Sequence, residues 1–160
     1  MDLTARVEAL ETQVRELRDQ EEIRHLLSTY AFNADLGRLD EFIQGWTPEG
    51  VYDVAEGMLF PDRAAIHAFV SDESGPRGML ENNSQHLVAN LVIKVEGDRA
   101  WAEGYSIVTL AAEGGVRIFA AGYNHWDFER SEGRWLMALR LRRTIGGPTW
   151  GGEVLKSYLD

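Results

Sequence analysis

Residues 86–115 read HLVANLVIKVEGDRAWAEGYSIVTLAAEGG. Two runs of this stretch, 86–96 and 99–111, are rich in strand-forming residues, and the Gly97-Asp98 dipeptide between them is typical of a hairpin turn. Two further strand-like runs follow at 116–130 and 134–144. Glycine-containing turns precede them at 113–115 and 131–133. Four successive strands joined by short turns predict an antiparallel sheet.

The sequence before this stretch has the periodicity of helices. Apolar residues recur at heptad spacing from Leu3 to Leu17. A second apolar stripe runs from Ile23 to Ala34, and Gly37 suits the position just after a helix end. Beyond it, two shorter helices are predicted at 40–46 and 64–70. A brief strand is predicted at 51–54 and a loop at 71–78. A helical half followed by antiparallel strands predicts an α+β fold, in preference to a doubly wound parallel sheet.

The composition of the 160 residues limits the class of protein. The length suits one domain, no window approaches the ~20 apolar residues of a membrane span, and the charged N-terminus is unlike a signal peptide. The net charge of −10, from 26 acidic and 16 basic residues, argues against nucleic acid and anionic membranes as partners. The absence of cysteine excludes disulfides and thiolate chemistry. We therefore expect a cytoplasmic protein.

Asp35 and His86 are the candidate acid–base residues. Asp35 lies at the predicted end of the second apolar stripe, where a carboxylate opposes the negative end of the helix dipole. The alternative is an ordinary polar residue at a helix end. His86 begins a strand whose two alternating faces are both largely apolar, so the strand is predicted to be buried on both sides. The alternative is a structural histidine bonded to a backbone carbonyl.

Several other residues are candidates for lining a pocket. Asn124 and His125 lie on opposite faces of one predicted strand, so only one of them can point inward. Arg140 and Arg142 share a face of the last strand, and a buried arginine needs a carboxylate or an anionic ligand. The candidates for substrate binding are Tyr52, Trp46, Asn90, Tyr123, His125 and Arg140.

The sequence contains no local motif for a cofactor or a metal. It has no phosphate-binding loop, no dinucleotide-binding glycine motif, no nucleophile elbow and no zinc-binding HExxH. The four histidines have no ligand-like spacing. We expect the protein to need neither a metal nor an organic cofactor.

Three stretches carry a resemblance to a known family: residues 22–31 followed by Asp35, residues 46–52, and residues 85–90 followed by a hairpin. With the order of the predicted elements, they resemble the nuclear-transport-factor-two-like superfamily, in particular its scytalone dehydratase and SnoaL-like polyketide cyclase branch. The resemblance implies a cone-shaped α+β barrel, in which N-terminal helices pack on a curved, mainly antiparallel sheet. The resemblance covers the cone-shaped domain, residues 20–145. A helical extension, residues 1–19, precedes this domain, and a tail, residues 146–160, follows it.

The resemblance also implies a reaction and the residues that perform it. In members such as scytalone dehydratase, bile-acid 7α-dehydratase and hexachlorocyclohexane dehydrochlorinase, an Asp holds a His that removes a proton, and a Tyr assists the leaving group. Asp35, His86 and Tyr30 fall on those positions.

A cofactor-independent lyase of the dehydratase type is therefore implied, acting on small hydrophobic, hydroxylated substrates that include polycyclic ones. The apolar stripe from Leu3 to Leu17 needs burial and predicts a homo-oligomer, and the relatives imply a trimer in preference to a dimer. One alternative is an isomerase or polyketide-cyclase-like enzyme that uses the same dyad. The other is a non-catalytic ligand-binding or assembly module, such as the small subunit of a ring-hydroxylating oxygenase.

Overall fold

The computed structural model describes residues 2–55 and 57–147, which form helices followed mostly by strands. The helices are α1 (Leu3–Asp35), α2 (Leu39–Ile43), α3 (Arg63–Ser71) and α4 (Pro76–Leu80). The strands are β1 (Trp46–Ala55), β2 (Met58–Phe60), β3 (Ser84–Glu96), β4 (Arg99–Ala112), β5 (Gly115–Ser131) and β6 (Arg134–Thr144). The four long strands predicted from the turn signals are therefore confirmed as β3 to β6.

One six-stranded sheet organises the domain, in the order β2-β1-β6-β5-β4-β3. Only the β1–β6 pair is parallel among these strands, and the other four pairs are antiparallel. The helices pack on one face of this sheet and enclose an apolar core. The predicted α+β class, with N-terminal helices on a curved and mostly antiparallel sheet, is confirmed.

Helix α1 is continuous for 33 residues although its apolar pattern changes phase. Its first half is exposed, whereas Ile23 and Leu27 in its second half are buried in the core. Asp19 lies between the two halves, where its carboxylate accepts hydrogen bonds from Arg130 Nη2 at 2.5 Å and from Trp135 Nε1 at 3.3 Å. These bonds anchor the middle of α1 to the far end of the β5–β6 hairpin.

The end of α1 fits the sequence prediction. The helix ends at Asp35, and Gly37 follows with φ +66°, a left-handed conformation that glycine adopts without strain. A Cβ atom at Gly37 would also lie 2.5 Å from the Glu81 side chain. The chain can therefore turn sharply here and bring Glu81 against the end of α1.

Two predictions of local structure were wrong. The short helix ends at Ile43, not at Trp46, and Trp46 instead begins β1, where burial of its ring against the sheet outweighs helix propensity. The predicted loop 71–78 contains the start of α4, whose first residue is Pro76, a position that proline favours. Most of the predicted tail 146–160 lies outside the described residues.

The prediction that β3 is buried on both sides was also wrong, because β3 is an edge strand with a bulge. Its register with β4 shifts between Ala89 and Val92, and Asn90 has φ +52°. Before the bulge, His86 and Val88 are less exposed than Leu87 and Ala89, which lie on the outer face. After it the alternation is reversed, and Ile93 is buried in the core.

We propose that the protein assembles as a homo-oligomer, a trimer in preference to a dimer, through the exposed stripe of α1. Leu3, Leu10 and Leu17 are 71%, 58% and 63% exposed, and a partner would bury them. The double change Leu10→Glu and Leu17→Glu should shift the mass measured by light scattering toward 18.0 kDa, the mass of one chain. Thr12→Glu, on the opposite face of α1, should leave the assembly intact. A wild-type mass of 18.0 kDa at micromolar concentration would refute the proposal.

Candidate active site

A cavity of about 590 Å³ opens between the helices and the sheet. This volume is in the range of pockets that enclose small organic ligands. Most of its lining is apolar, and the exceptions are mainly tyrosine, histidine and arginine side chains. The predicted site residues that line it are Tyr30, Tyr52, His86 and Arg140.

Asp35 and His86 meet at this cavity, as the sequence predicts. His86 Nδ1 lies 2.6 Å from Asp35 Oδ1, and the backbone N–H of His86 donates to Asp35 Oδ2 at 3.0 Å. Ser84 Oγ donates to Asp35 Oδ1 at 2.7 Å. The carboxylate therefore fixes both the ring and the backbone of His86.

The ionisation of Asp35 decides which nitrogen of His86 is basic. Burial alone raises the pKa of Asp35, but hydrogen bonds from His86 and Ser84 outweigh it and hold the pKa below its ordinary value. An ionised carboxylate can only accept, so His86 Nδ1 carries a proton. Nε2 is then the free base, and none of the described side chains hydrogen bonds to it.

Arg140 forms the second polar network of the cavity. Its Nε and Nη2 donate to Asn124 Oδ1 at 3.0 and 2.9 Å, and its Nη1 donates to the Tyr30 hydroxyl at 2.5 Å. Asn124 in turn donates to Ser106 Oγ at 2.7 Å. The guanidinium also lies over the Tyr52 ring, 5.0 Å from its centroid. These contacts hold Arg140 and Tyr30 in fixed positions.

Tyr30 is suited to donate a hydrogen bond. Burial raises the pKa of Tyr30 far above its ordinary value, although the nearby Arg140 charge opposes the shift. The hydroxyl oxygen accepts from Arg140, and its own hydrogen is directed either to Tyr52 or to a molecule bound in the cavity. Trp46 does not line the cavity but packs behind it, with ring centroids 6.2 Å from Tyr30 and 5.8 Å from Tyr52.

Besides Trp46, three of the predicted substrate-binding residues do not line the cavity. Asn90 is exposed at the β3 bulge. Tyr123 and His125 share the outer face of β5, because the alternation of the strand directs Asn124 inward. His125 lies between Glu103 and Asp127, with nitrogen–oxygen distances of 3.3 and 3.0 Å. The expectation that these residues contact substrate is therefore not supported by their positions.

Sequence reasoning did not select Ser84, Asn124 and Arg142, although all three contribute to the site. Ser84 lies two residues before His86, so strand alternation could have placed it on the same face. Asn124 required a choice between two faces of β5. Arg142 lies on the cavity-lining face of β6 that Arg140 also occupies, and the sequence could not decide between them.

No cluster of three or more His, Cys, Asp or Glu side chains suited to a metal occurs in residues 2–55 and 57–147. The expectation that the protein needs no metal or cofactor remains a prediction. None of the helices in these same two ranges is long and apolar enough to span a membrane.

The sequence assigns the chain to a family. Residues 15–140 match the SnoaL-like domain, so the chain belongs to the SnoaL-like family. The resemblance to the SnoaL-like branch of the nuclear-transport-factor-two-like superfamily is thereby confirmed. No curated protein matches the chain in sequence.

Solved structures have the same fold. An NTF2-like protein with a cystatin-like fold from Novosphingobium aromaticivorans is 28% identical, with a TM-score of 0.82 over 99% of this chain and 97% of that one. Rv3472 from Mycobacterium tuberculosis, a protein of unknown function, is 22% identical, with a TM-score of 0.72 over 81% and 77% of the two chains. A Novosphingobium aromaticivorans protein provisionally named scytalone dehydratase is 17% identical, with a TM-score of 0.70 over 80% and 85%.

Asp35→Ala should lower the free energy of unfolding by about 1–3 kcal/mol, because it removes the acceptor of three hydrogen bonds. Folding lowers the pKa of Asp35, so the ionised carboxylate stabilises the folded protein fully above the pKa of the unfolded carboxyl, about 3.9. This stabilisation is lost as the pH falls through the pKa of Asp35 in the folded protein. Urea unfolding should therefore show a difference in the free energy of unfolding between wild type and Asp35→Ala at pH 7, and this difference should become smaller below about pH 4.

The control is Glu11→Ala on the exposed half of α1, which should change the stability by less than about 0.5 kcal/mol. An equal effect of the two substitutions at pH 7 would contradict the anchoring role of Asp35.

Proposed function

We propose that the protein is a cofactor-independent lyase of the dehydratase type, acting on a small hydrophobic, hydroxylated substrate. One observation carries this proposal: Asp35 holds Nδ1 of His86, and the His86 side chain lines a cavity that is mostly apolar. A carboxylate bonded to one imidazole nitrogen fixes the tautomer and stabilises the imidazolium that forms when the other nitrogen takes a proton. In a mostly apolar cavity this stabilisation is larger than in bulk solvent.

The proposed reaction uses His86 as the base and Tyr30 as a hydrogen-bond donor. Nε2 of His86 removes a proton from a carbon next to an electron-withdrawing group. The electron pair of that C–H bond forms a double bond, and the C–O bond of the neighbouring hydroxyl breaks. Tyr30, oriented by Arg140, donates a hydrogen bond to the departing oxygen. The proton taken by His86 passes to this oxygen, so water leaves and His86 returns to its neutral form.

The cavity supports a substrate with fused rings. Its volume of about 590 Å³ accommodates a two- or three-ring compound, and the aliphatic and aromatic side chains around it would contact the rings.

We place the enzyme in the cytoplasm in this proposal, in keeping with a chain that has no cysteine.

A second candidate function uses the same dyad without loss of water. Arg140 and Tyr30 together could stabilise an enolate formed by proton removal, which suits an isomerase or a cyclase. The family includes such cyclases. Mass spectrometry separates the two reactions, because isomerisation conserves the mass of the substrate and dehydration lowers it by one water. A non-catalytic module has no need of a histidine held by a partly buried carboxylate.

Incubation with a panel of hydroxylated steroids, naphthols and terpenoids should reveal a substrate that loses water. On that substrate, His86→Ala should reduce turnover by roughly 10²–10⁴, the usual contribution of a general base. Asp35→Asn should be severely impaired but less so, because the carboxylate orients the base and does not take the proton from the substrate. Turnover would be followed by liquid chromatography and mass spectrometry.

His25→Ala is the matched control, since His25 is an exposed histidine of α1 that does not line the cavity. It should retain wild-type turnover. Near-native turnover by folded His86→Ala protein would show that another residue is the base.

Tyr30→Phe should lower kcat more than it raises KM, because the hydroxyl is proposed to act on the departing oxygen. The substitution keeps the ring that packs on Phe42 at a centroid distance of 4.3 Å, so the fold should be preserved. Steady-state kinetics with substrates that carry better and worse leaving groups would check this role. A loss of rate that is equal for all leaving groups would contradict it.

A further inference from the structure

Arg140 is a buried cation with no carboxylate partner among the described residues. Its side chain is at the cavity, the residue is only 4% exposed, and its hydrogen-bond acceptors are the neutral groups of Asn124 and Tyr30. No carboxylate of residues 2–55 or 57–147 forms an ion pair with it. Buried arginines are usually paired with an anion, because a guanidinium loses much hydration free energy on burial.

Arg142 brings a second positive charge to the same cavity. It lies two residues from Arg140 on the same face of β6, and it also lines the cavity. Burial, together with the charge of Arg140, lowers the pKa of Arg142. Within the described part of the chain Arg142 has neither a hydrogen bond nor an ion pair from its side chain. Two guanidinium groups therefore approach one cavity, and neither forms an ion pair with a carboxylate of residues 2–55 or 57–147.

The nearby carboxylates are committed to other partners. Glu81, which lines the cavity, accepts from Arg77 Nε at 2.9 Å. Asp35 is bound to His86. The Asp53 carboxylate accepts hydrogen bonds from Nη1 and Nη2 of Arg143 at 2.8 and 2.9 Å, so it does not neutralise the charge of Arg142. Although the whole chain has a net charge of −10, the described side chains give this part of the cavity a positive charge.

We propose that Arg142, supported by the charge of Arg140, binds an anionic group of the ligand, and that the ligand is a hydrophobic carboxylic acid. Arg142 supplies the direct contact, since a guanidinium can bind both oxygens of a carboxylate. Arg140 is a positioning residue, because most of its donors are already bonded to Asn124 and Tyr30. The rings of the acid would occupy the apolar part of the cavity. This inference deepens the proposed function by naming the substrate class, and it uses the same cavity.

The experiment compares two ligands of the same shape, 2-naphthoate and 2-naphthamide, by isothermal titration calorimetry at pH 8 and fixed salt. Wild-type protein should bind the naphthoate at least tenfold more tightly than the amide. Arg142→Gln should reduce this preference to less than twofold, mainly by weakening naphthoate binding. Arg142→Lys, which keeps the charge but not the two-pronged donor, should retain an intermediate preference. Arg99→Gln, an exposed arginine at the start of β4, should behave as wild type.

His86→Ala protein separates this inference from the proposed reaction. It should lose turnover and yet keep the preference for naphthoate, since the anion is bound by Arg142. A preference that disappears in His86→Ala and persists in Arg142→Gln would overturn the inference and assign anion binding to the histidine. Equal binding of the two ligands by the wild type, or no binding of naphthoate at millimolar concentration, would also overturn it. Circular dichroism melts of each variant establish that a lost preference is not lost folding.

Discussion

The carboxylate of Asp35 is the contact on which the site and the helical layer both depend. It accepts hydrogen bonds from Ser84 Oγ, from the His86 backbone and from the His86 ring, and so joins the end of α1 to the start of β3. The backbone carbonyl of Asp35 also accepts from the N–H of Asn82. A carboxylate at a helix C-terminus is unfavourable with respect to the helix dipole, and these donors offset that cost. The same bonds that hold α1 on the sheet therefore orient the imidazole.

The two polar networks of the cavity differ in how their charges are compensated. The Asp35 network places an anion beside a group that can become a cation, so its charge can be balanced within the protein during proton transfer. The Arg140 network surrounds a permanent cation with neutral acceptors and aromatic rings. The difference in charge between the Asp35 network and the Arg140 network polarises a molecule bound in the cavity. An electron-withdrawing group near Arg140 would acidify its neighbouring C–H bond, which is the property that a histidine base requires.

The sequence predicted the elements better than it predicted which side chains face the cavity. Turn signals marked all four long strands. Position made Asp35 and His86 candidates, but their acid–base roles came from the resemblance to the SnoaL-like branch. The orientation of Asn90 could not be predicted, because a bulge reverses the alternation and only the register with β4 reveals it. The choice of Asn124 over His125 likewise depends on which face of β5 is covered by helices. Trp46 was assigned to a helix because its burial on the sheet is a tertiary effect.

The parallel pairing of β1 with β6 has a consequence for how the molecule folds. It joins Val51 to Leu139 and Tyr52 to Arg140, so two parts of the chain nearly ninety positions apart must find each other. Contacts so distant in sequence form slowly, because closing the long intervening loop costs entropy before any contact repays it. During synthesis, Tyr30 and Tyr52 emerge long before the strand that supplies Arg140. The cavity cannot be completed before β6 has emerged, and a chain that ends before β6 lacks the strand that covers its aromatic residues.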